Sequence, residues 1–270
     1  PIKRIGNYLR LLPDYISWQI DPRGLHYTAQ FLLPLKDKYR GCRCIIVGNG
    51  PSLQKMDLST LRDEFTFGSN RIYLLFEQLG FVTDFLVSIN RTVLEQFGSD
   101  IAQIKTTKFI NWRYRSALAN DDKTIFLAAR PDWSLDGEAL KGYFPGIGTV
   151  TNVAIEVAFF LGFSEVILIG VDHSYAQKGT PGLTIVSQEG DRNHFSKDYF
   201  GKGITWQLPD YQAMEEGYRM AKGLFEKNGR KIVDGTPGGH LEIFQKVNFY
   251  DFLQNSPFLN KSSFAAQTAK

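Results

Sequence analysis

In Cys44-Ile45-Ile46-Val47-Gly48-Asn49-Gly50-Pro51-Ser52, four apolar residues are followed by a glycine turn and a Pro-Ser pair with helix-start chemistry. The first four residues read as a short buried strand, and the helix is expected to begin near Ser52. A strand that ends in a glycine turn and feeds a helix is a common way to build an anion site. Glycine lets the backbone approach a phosphate, and the first turn of a helix presents unpaired N–H groups. Asn49 adds a side-chain amide at the strand's carboxyl end. A nucleotide-phosphate or ribose site is one reading. An unliganded βα turn is the other, since a Gly-x-Gly turn alone is a weak signal.

The same pattern recurs downstream. Phe65 to Ser69 ends at Asn70-Arg71, Phe85 to Ile89 ends at Asn90, and Phe109-Ile110 ends at Asn111. In open α/β sheets ligands sit at the carboxyl ends of the strands, so Asn49, Asn70 and Asn90 can face one ligand. Helix capping is the alternative use of an Asn in such a place. Between Gly146 and His173 the pattern is fuller: a small-residue loop, an almost wholly apolar helix from Val153 to Leu161, a Gly162 stop and a buried strand Val166–Ile169. This is the central βαβ region of a Rossmann-like, doubly wound, mostly parallel α/β sheet. Gly148, Thr149, Thr151 and Asn152 stand where donors meet a phosphate, or where ordinary caps belong.

The rest of the chain is arranged around that sheet. Residues 1–40 read as a helical extension with a basic cluster (Lys36, Lys38, Arg40 and Arg43), and 41–254 as the Rossmann-like domain. Within the latter, 173–209 read as a glycine-rich, mobile lid-like loop carrying several titratable groups. Residues 112–145 read as an irregular, substrate-side insertion, 210–228 as a helix, Lys231–Val233 as a last parallel strand, and 255–270 as a frayed tail.

Composition bounds the function. The chain has 270 residues, 43% hydrophobic and 22% charged, as in a globular protein with a sizeable core. A net charge of +3 gives no case for nucleic acid. Cys42 and Cys44 alternate along one strand, poorly placed to pair, which suits a reducing cytoplasm. A lone Cys-x-Cys is a weak metal signal. No apolar run is long enough to span a bilayer, and the amino terminus lacks a secretory core. The basic, partly apolar extension allows peripheral association with the inner face of a membrane.

Three segments together carry a resemblance: Val47 to Leu53, Phe67-Gly68-Ser69-Asn70-Arg71-Ile72-Tyr73, and Gly148 through Asp172. The chain resembles the bacterial CMP-sialic-acid-dependent sialyltransferase superfamily. It also resembles the broader 6-hydroxymethylpterin diphosphokinase (MptE)-like family, whose bacterial members are often associated with surface-polysaccharide or flagellin glycosylation. The resemblance implies a glycosyltransferase that moves a nonulosonic, sialic-type sugar from a CMP donor to a glycan acceptor, with no cofactor required. It places Asn49, Asn70, the loop of Gly148, Thr149, Thr151 and Asn152, Asp172 and Tyr175 at the donor; Gly48, Gly50, Pro51, Ser52, Arg71, Asn90 and Ser174 stand beside them as expected donor-site residues, and the charge of Arg192 suits a donor or acceptor carboxylate. His194 is the expected base, with His173 as its rival. The Gly-His-Ser context of the sialyltransferase base is missing. So is the acidic Thr-Asp-Leu-Asp-Gly type segment of the diphosphokinases, where this chain has Thr83-Asp84-Phe85-Leu86-Val87. Under an ATP-dependent diphosphokinase alternative, Asp84 and Asp172 would hold magnesium. A third alternative is a non-catalytic nucleotide-sugar-binding protein. The partners expected are a nucleotide-sugar donor and a glycan, with homo-oligomerisation left open.

Overall fold

In the computed structural model, residues 2–118, 123–130, 143–145 and 148–268 are described. Eleven strands follow in chain order: β1 (Arg43–Val47), β2 (Phe65–Ser69), β3 (Phe85–Ser88), β4 (Thr107–Asn111), β5 (Thr124–Arg130), β6 (Tyr143–Pro145), β7 (Glu165–Ile169), β8 (Thr184–Val186), β9 (Thr205–Gln207), β10 (Lys231–Asp234) and β11 (Gln245–Lys246). Nine of them form one sheet in the order β11-β10-β7-β1-β2-β3-β4-β5-β6, every neighbouring pair parallel. This is the doubly wound α/β architecture. The strand order reverses between β1 and β7, where Ile46 is in register with Leu168.

The sheet is covered on both faces, as parallel sheets require. The helices are α1 (Ile2–Ile20), α2 (Leu25–Leu32), α3 (Phe76–Leu79), α4 (Arg91–Gln103), α5 (Val150–Leu161), α6 (Tyr211–Lys227), α7 (Phe249–Asn255) and α8 (Lys261–Thr268). Along β1 the side chains alternate between two cores. Cys44 and Ile46 pack with α5 and α6, whereas Ile45 and Val47 share a core with Leu53, Val93 and Trp112. Helix α5 is buried on nearly every side, which explains its lack of a polar face. At the amino-terminal end, Trp18 is fully buried and the Thr28 hydroxyl donates to the Phe126 carbonyl at 2.9 Å, so the first helices lie against β5.

Several local expectations need correction. No α-helix begins at Ser52: Pro51–Lys55 and Leu58–Asp63 are short 3-10 turns, because Gly50 stays extended and the Ser52 N–H is taken by Asp172 rather than by a helix. The span 112–145 is not uniformly irregular, since β5 and β6 lie in it; residues 131–142, with Trp133, fall outside the described residues. Through residue 268 the tail is not frayed. Leu259 bridges to Cys42, Phe264 packs against Tyr39 and Phe65, and Lys261 pairs with Asp84 at 3.1 Å. Arg43 does not belong to the surface basic cluster: it is buried against Glu64 at 2.7 Å.

Candidate functional site

The carboxyl ends of β1 and β7 flank the reversal point, where a doubly wound sheet leaves a crevice. A cavity of about 340 Å³ opens there. Its walls are the turn after β1 (Gly48 to Gly50), Asn70 and Asn90 after β2 and β3, the start of α5, and the exit of β7 from Gly170 to Tyr175. Segment 173–209 closes the remaining side with Gly182, His194 and Trp206. That segment is not a loose loop. Strands β8 and β9 pair within it, and Phe195, Tyr199, Phe200, Trp206 and Leu208 are buried in the core shared with β1.

The glycines after β1 serve close packing rather than phosphate approach. A Cβ on Gly48 would lie 2.2 Å from the Gly170 carbonyl, and one on Gly50 would lie 1.8 Å from Asp172 Oδ2. Both amides donate into β7's exit, Gly48 to Ile169 and Gly50 to Gly170, each at 2.8 Å. Asp172 then accepts from the Ser52 amide at 3.1 Å and from its hydroxyl at 2.7 Å. The place where an anion would dock is occupied by a carboxylate of the protein itself.

The asparagines divide by role. Asn49 donates to Ser69 Oγ at 2.8 Å, while its Oδ1 is buried and has no partner. Asn70 sits in the left-handed region at φ 51° and accepts from Ser88 at 3.1 Å, so it caps no helix. Asn90 is a cap: its Oδ1 accepts from the Val93 amide at 3.1 Å and from the Thr92 hydroxyl at 2.8 Å. Thr149 caps α5 through Thr151.

His194 is the best-positioned titratable group. Its Nδ1 lies 2.7 Å from Asp191 Oδ2, and its ring stacks on Tyr199 at 4.0 Å with an 8° tilt, edged by Phe200. Asp191 also accepts from the Phe200 amide at 3.0 Å and the Asn193 amide at 2.7 Å. A carboxylate on Nδ1 fixes the tautomer that leaves Nε2 as an acceptor, the form a general base needs. His173 is held differently. It adopts φ 52°, its Nε2 meets Glu215 at 3.3 Å, its ring abuts Tyr211, and its buried Nδ1 is unpartnered.

Two tyrosines supply neutral donors. Burial, with Tyr211, Asp172 and Asp191 adding to it, pushes the Tyr175 phenol up to about 12. Burial also raises Tyr218 well above the ordinary tyrosine value. Its hydroxyl has the Thr149 and Thr151 side chains close by, but none completes a hydrogen bond of ordinary geometry. Asn49 Oδ1, His173 Nδ1 and the Tyr218 hydroxyl are thus three buried polar atoms in the cavity wall awaiting partners.

The chain matches the family described as 6-hydroxymethylpterin diphosphokinase MptE-like over residues 25–178. It belongs to the MptE-like family. A search of curated proteins finds no match. Among solved structures, the MAf glycosyltransferase from Magnetospirillum magneticum AMB-1 shares the fold, with a TM-score of 0.53 at 14% identity. The likeness covers 91% of this chain and 41% of that one, so the chain spans less than half of that protein's length.

Not every expected site residue of this MptE-like chain reaches the cavity. Ser52 and Pro51 lie behind the turn, Ser52 spent on Asp172. Arg71 is a brace: its guanidinium lies 3.7 Å from the Phe97 ring centroid and donates to the Asp198 carbonyl at 2.8 Å and to the Tyr199 carbonyl. Asn152 packs against Gly217, where a Cβ would be 2.1 Å from its Nδ2, and ties α5 to the Met214 carbonyl of α6. Arg192 is exposed and paired with Glu189 at 3.1 Å, away from the cavity. Asp84 and Asp172 cannot share a magnesium ion, because Asp84 precedes β3 and Asp172 follows β7, at opposite ends of parallel strands. Among the described residues no three His, Cys, Asp or Glu side chains converge in a metal-holding group, and the buried Cys42 and Cys44 remain free. Nor, among them, is any helix long and apolar enough to cross a membrane.

Tyr218, Ser69 and Asp191 were not assigned to the site from sequence. Tyr218 follows the core spacing of α6 and is indistinguishable there from a packing residue. Asp191 carries a weak signal, three residues before His194.

Proposed function

We propose that the protein is a glycosyltransferase that takes a nonulosonic, sialic-type sugar from a CMP-activated donor and delivers it to a glycan hydroxyl. The observation that carries this reading is His194 on the wall of the crevice, held by Asp191 behind it, beside the hydroxyl and amide groups that line the same cavity. His194 Nε2 takes the proton of the acceptor hydroxyl. The hydroxyl oxygen attacks the anomeric carbon, the bond from that carbon to the donor phosphate breaks, and its electron pair stays on the phosphate oxygen. The Tyr175, Thr149 and Thr151 hydroxyls are the groups available to stabilise the departing CMP. The MAf fold and the bacterial family members tied to surface glycosylation support the same reading.

The family description itself favours pyrophosphoryl transfer from ATP. The carboxylates expected to hold magnesium for it do not meet, which supports the transferase instead. A thermal-shift panel of CMP, CDP, UDP, GDP and ATP, with and without magnesium, separates the readings. Stabilisation by CMP in chelator is expected. Stabilisation by ATP alone, and only with magnesium, would overturn the proposal. CMP binding without turnover of any donor would indicate a binding protein.

A further inference from the structure

The glycine turn at the sheet's reversal point is the place where this architecture ordinarily receives phosphate, and here it holds Asp172. The carboxylate is fixed from three sides: the Ser52 amide and hydroxyl on its two oxygens, and the Gly50 Cα, which leaves no room for a Cβ. Its backbone is fixed as well, since the His240 amide donates to the Asp172 carbonyl at 2.9 Å and the Thr236 hydroxyl accepts from the Val171 amide at 3.2 Å. Asp172 therefore cannot swing aside without dismantling the β1–β7 junction. After burial and Tyr211, Asp172 adds to the upward shift of the Tyr175 phenol, three residues along the same wall.

Among the described lining residues there is no Lys or Arg, and Asp210 is a second carboxylate. The anion donors are hydroxyls and amides. Such groups hold the phosphate of a CMP-linked donor through hydrogen bonds but supply no cation to neutralise the charge that each further phosphate adds. We infer that Asp172 is a charge filter: it makes the site selective for a donor linked through one phosphate and excludes nucleoside di- and triphosphates. This inference rests on the proposed nucleotide-donor reading and extends it to the phosphate number the site accepts.

The physics sets the size of the effect. Each added phosphate charge lies several ångströms from a fixed carboxylate in a partly dry crevice, which weakens binding on the order of tenfold per charge. The test is calorimetric titration of CMP, CDP and CTP into the full-length protein in chelator, repeated with Asp172→Asn. For the wild type the affinity falls on the order of tenfold at each step from CMP to CTP, and the ladder narrows as ionic strength rises. In Asp172→Asn, whose oxygen still accepts from the Ser52 amide while its Nδ2 donates to the Ser52 hydroxyl oxygen, CTP gains on CMP by on the order of tenfold. An unchanged CMP-to-CTP ratio in the variant would sink the charge filter while leaving the donor reading intact. Failure of all cytidine nucleotides to bind the wild type would instead refute the donor reading. If the variant does not fold, the salt series on the wild type decides: a salt-independent ladder, or CTP binding tightest, overturns the inference. Magnesium-dependent CTP binding that Asp172→Asn abolishes would make Asp172 a metal ligand and also overturn it.

Discussion

Replacing Asp191 by Asn removes a charge without removing much volume, and the hydrogen bonds around it fix the consequences. The carboxylate accepts three hydrogen bonds, from His194 Nδ1 and the Phe200 amide on one oxygen and from the Asn193 amide on the other. An amide offers one accepting oxygen. If it faces His194 and Phe200, the Asn193 N–H is left against an NH2 group; in the other orientation both remaining donors lose their acceptor. One buried unsatisfied donor costs about 1–3 kcal/mol. For a domain of this size that lowers the melting temperature by roughly 2–10 °C, short of unfolding it. The catalytic effect is larger. The imidazole loses the group that fixes its tautomer and stabilises its protonated form, a loss of roughly 10²- to 10⁴-fold in kcat. Asp191 is not part of the cavity wall, so the Kd for CMP is expected to stay within about threefold. The assay is CMP release from a CMP-activated nonulosonic acid, paired with calorimetric CMP binding. A kcat loss that tracks an equal loss of CMP affinity would refute the positioning role. So would a fully active Asp191→Asn beside an inactive His194→Ala.

Other expectations rest on the packing. Gly50→Ala drives a methyl into Asp172, 1.8 Å from its Oδ2; it should cost about 1–3 kcal/mol and weaken CMP binding, as chemical denaturation and calorimetry would show. Arg43→Met leaves the buried Glu64 carboxylate unpaired and should cost about 3–5 kcal/mol, with much of it recovered in Arg43→Met/Glu64→Leu; additive losses in urea melts would contradict the pairing. Tyr175, Tyr199 and Tyr218 have folded-state titrations raised above the unfolded one by burial. Their contribution is complete below about pH 10 and lost as pH rises towards 12, because the unfolded chain releases those protons first. Melting temperature should therefore fall steeply above pH 10, with a matching late fraction in tyrosinate absorbance; a flat profile to pH 12 would contradict the burial.

The sequence was most informative where apolar runs are unbroken. β1, β3, β7 and β10 read as buried strands because parallel strands covered on both faces carry no alternation. Helices α5 and α6 announced themselves through their stops at Gly162 and at Asn228-Gly229. β5 was hidden by the turn-rich residues around it, and β8 and β9 are only three residues each, with Trp206 alone buried. The tail docks through single anchors, Leu259 and Phe264, which leave no periodicity to detect. At the site, the strand-end pattern located the crevice but not the use of each residue. Nothing in Gly48-Asn49-Gly50-Pro51-Ser52 shows that Asp172, 120 residues downstream, takes the Ser52 amide and turns a phosphate-loop pattern into a packed junction. Arg71 and Asn152 look equally polar in sequence, and only tertiary placement makes them braces.

At the centre of the proposed function, His194, held by Asp191, takes the proton of the hydroxyl that attacks a CMP-linked donor seated between β1 and β7. Single-turnover CMP release from a CMP-activated nonulosonic acid, in chelator, with wild type and His194→Ala, puts that role to the sharpest test. Release by the wild type is expected, with at least a 10²-fold slower rate for the variant at unchanged CMP affinity. Equal rates in the two proteins, or turnover confined to ATP with magnesium, would contradict it.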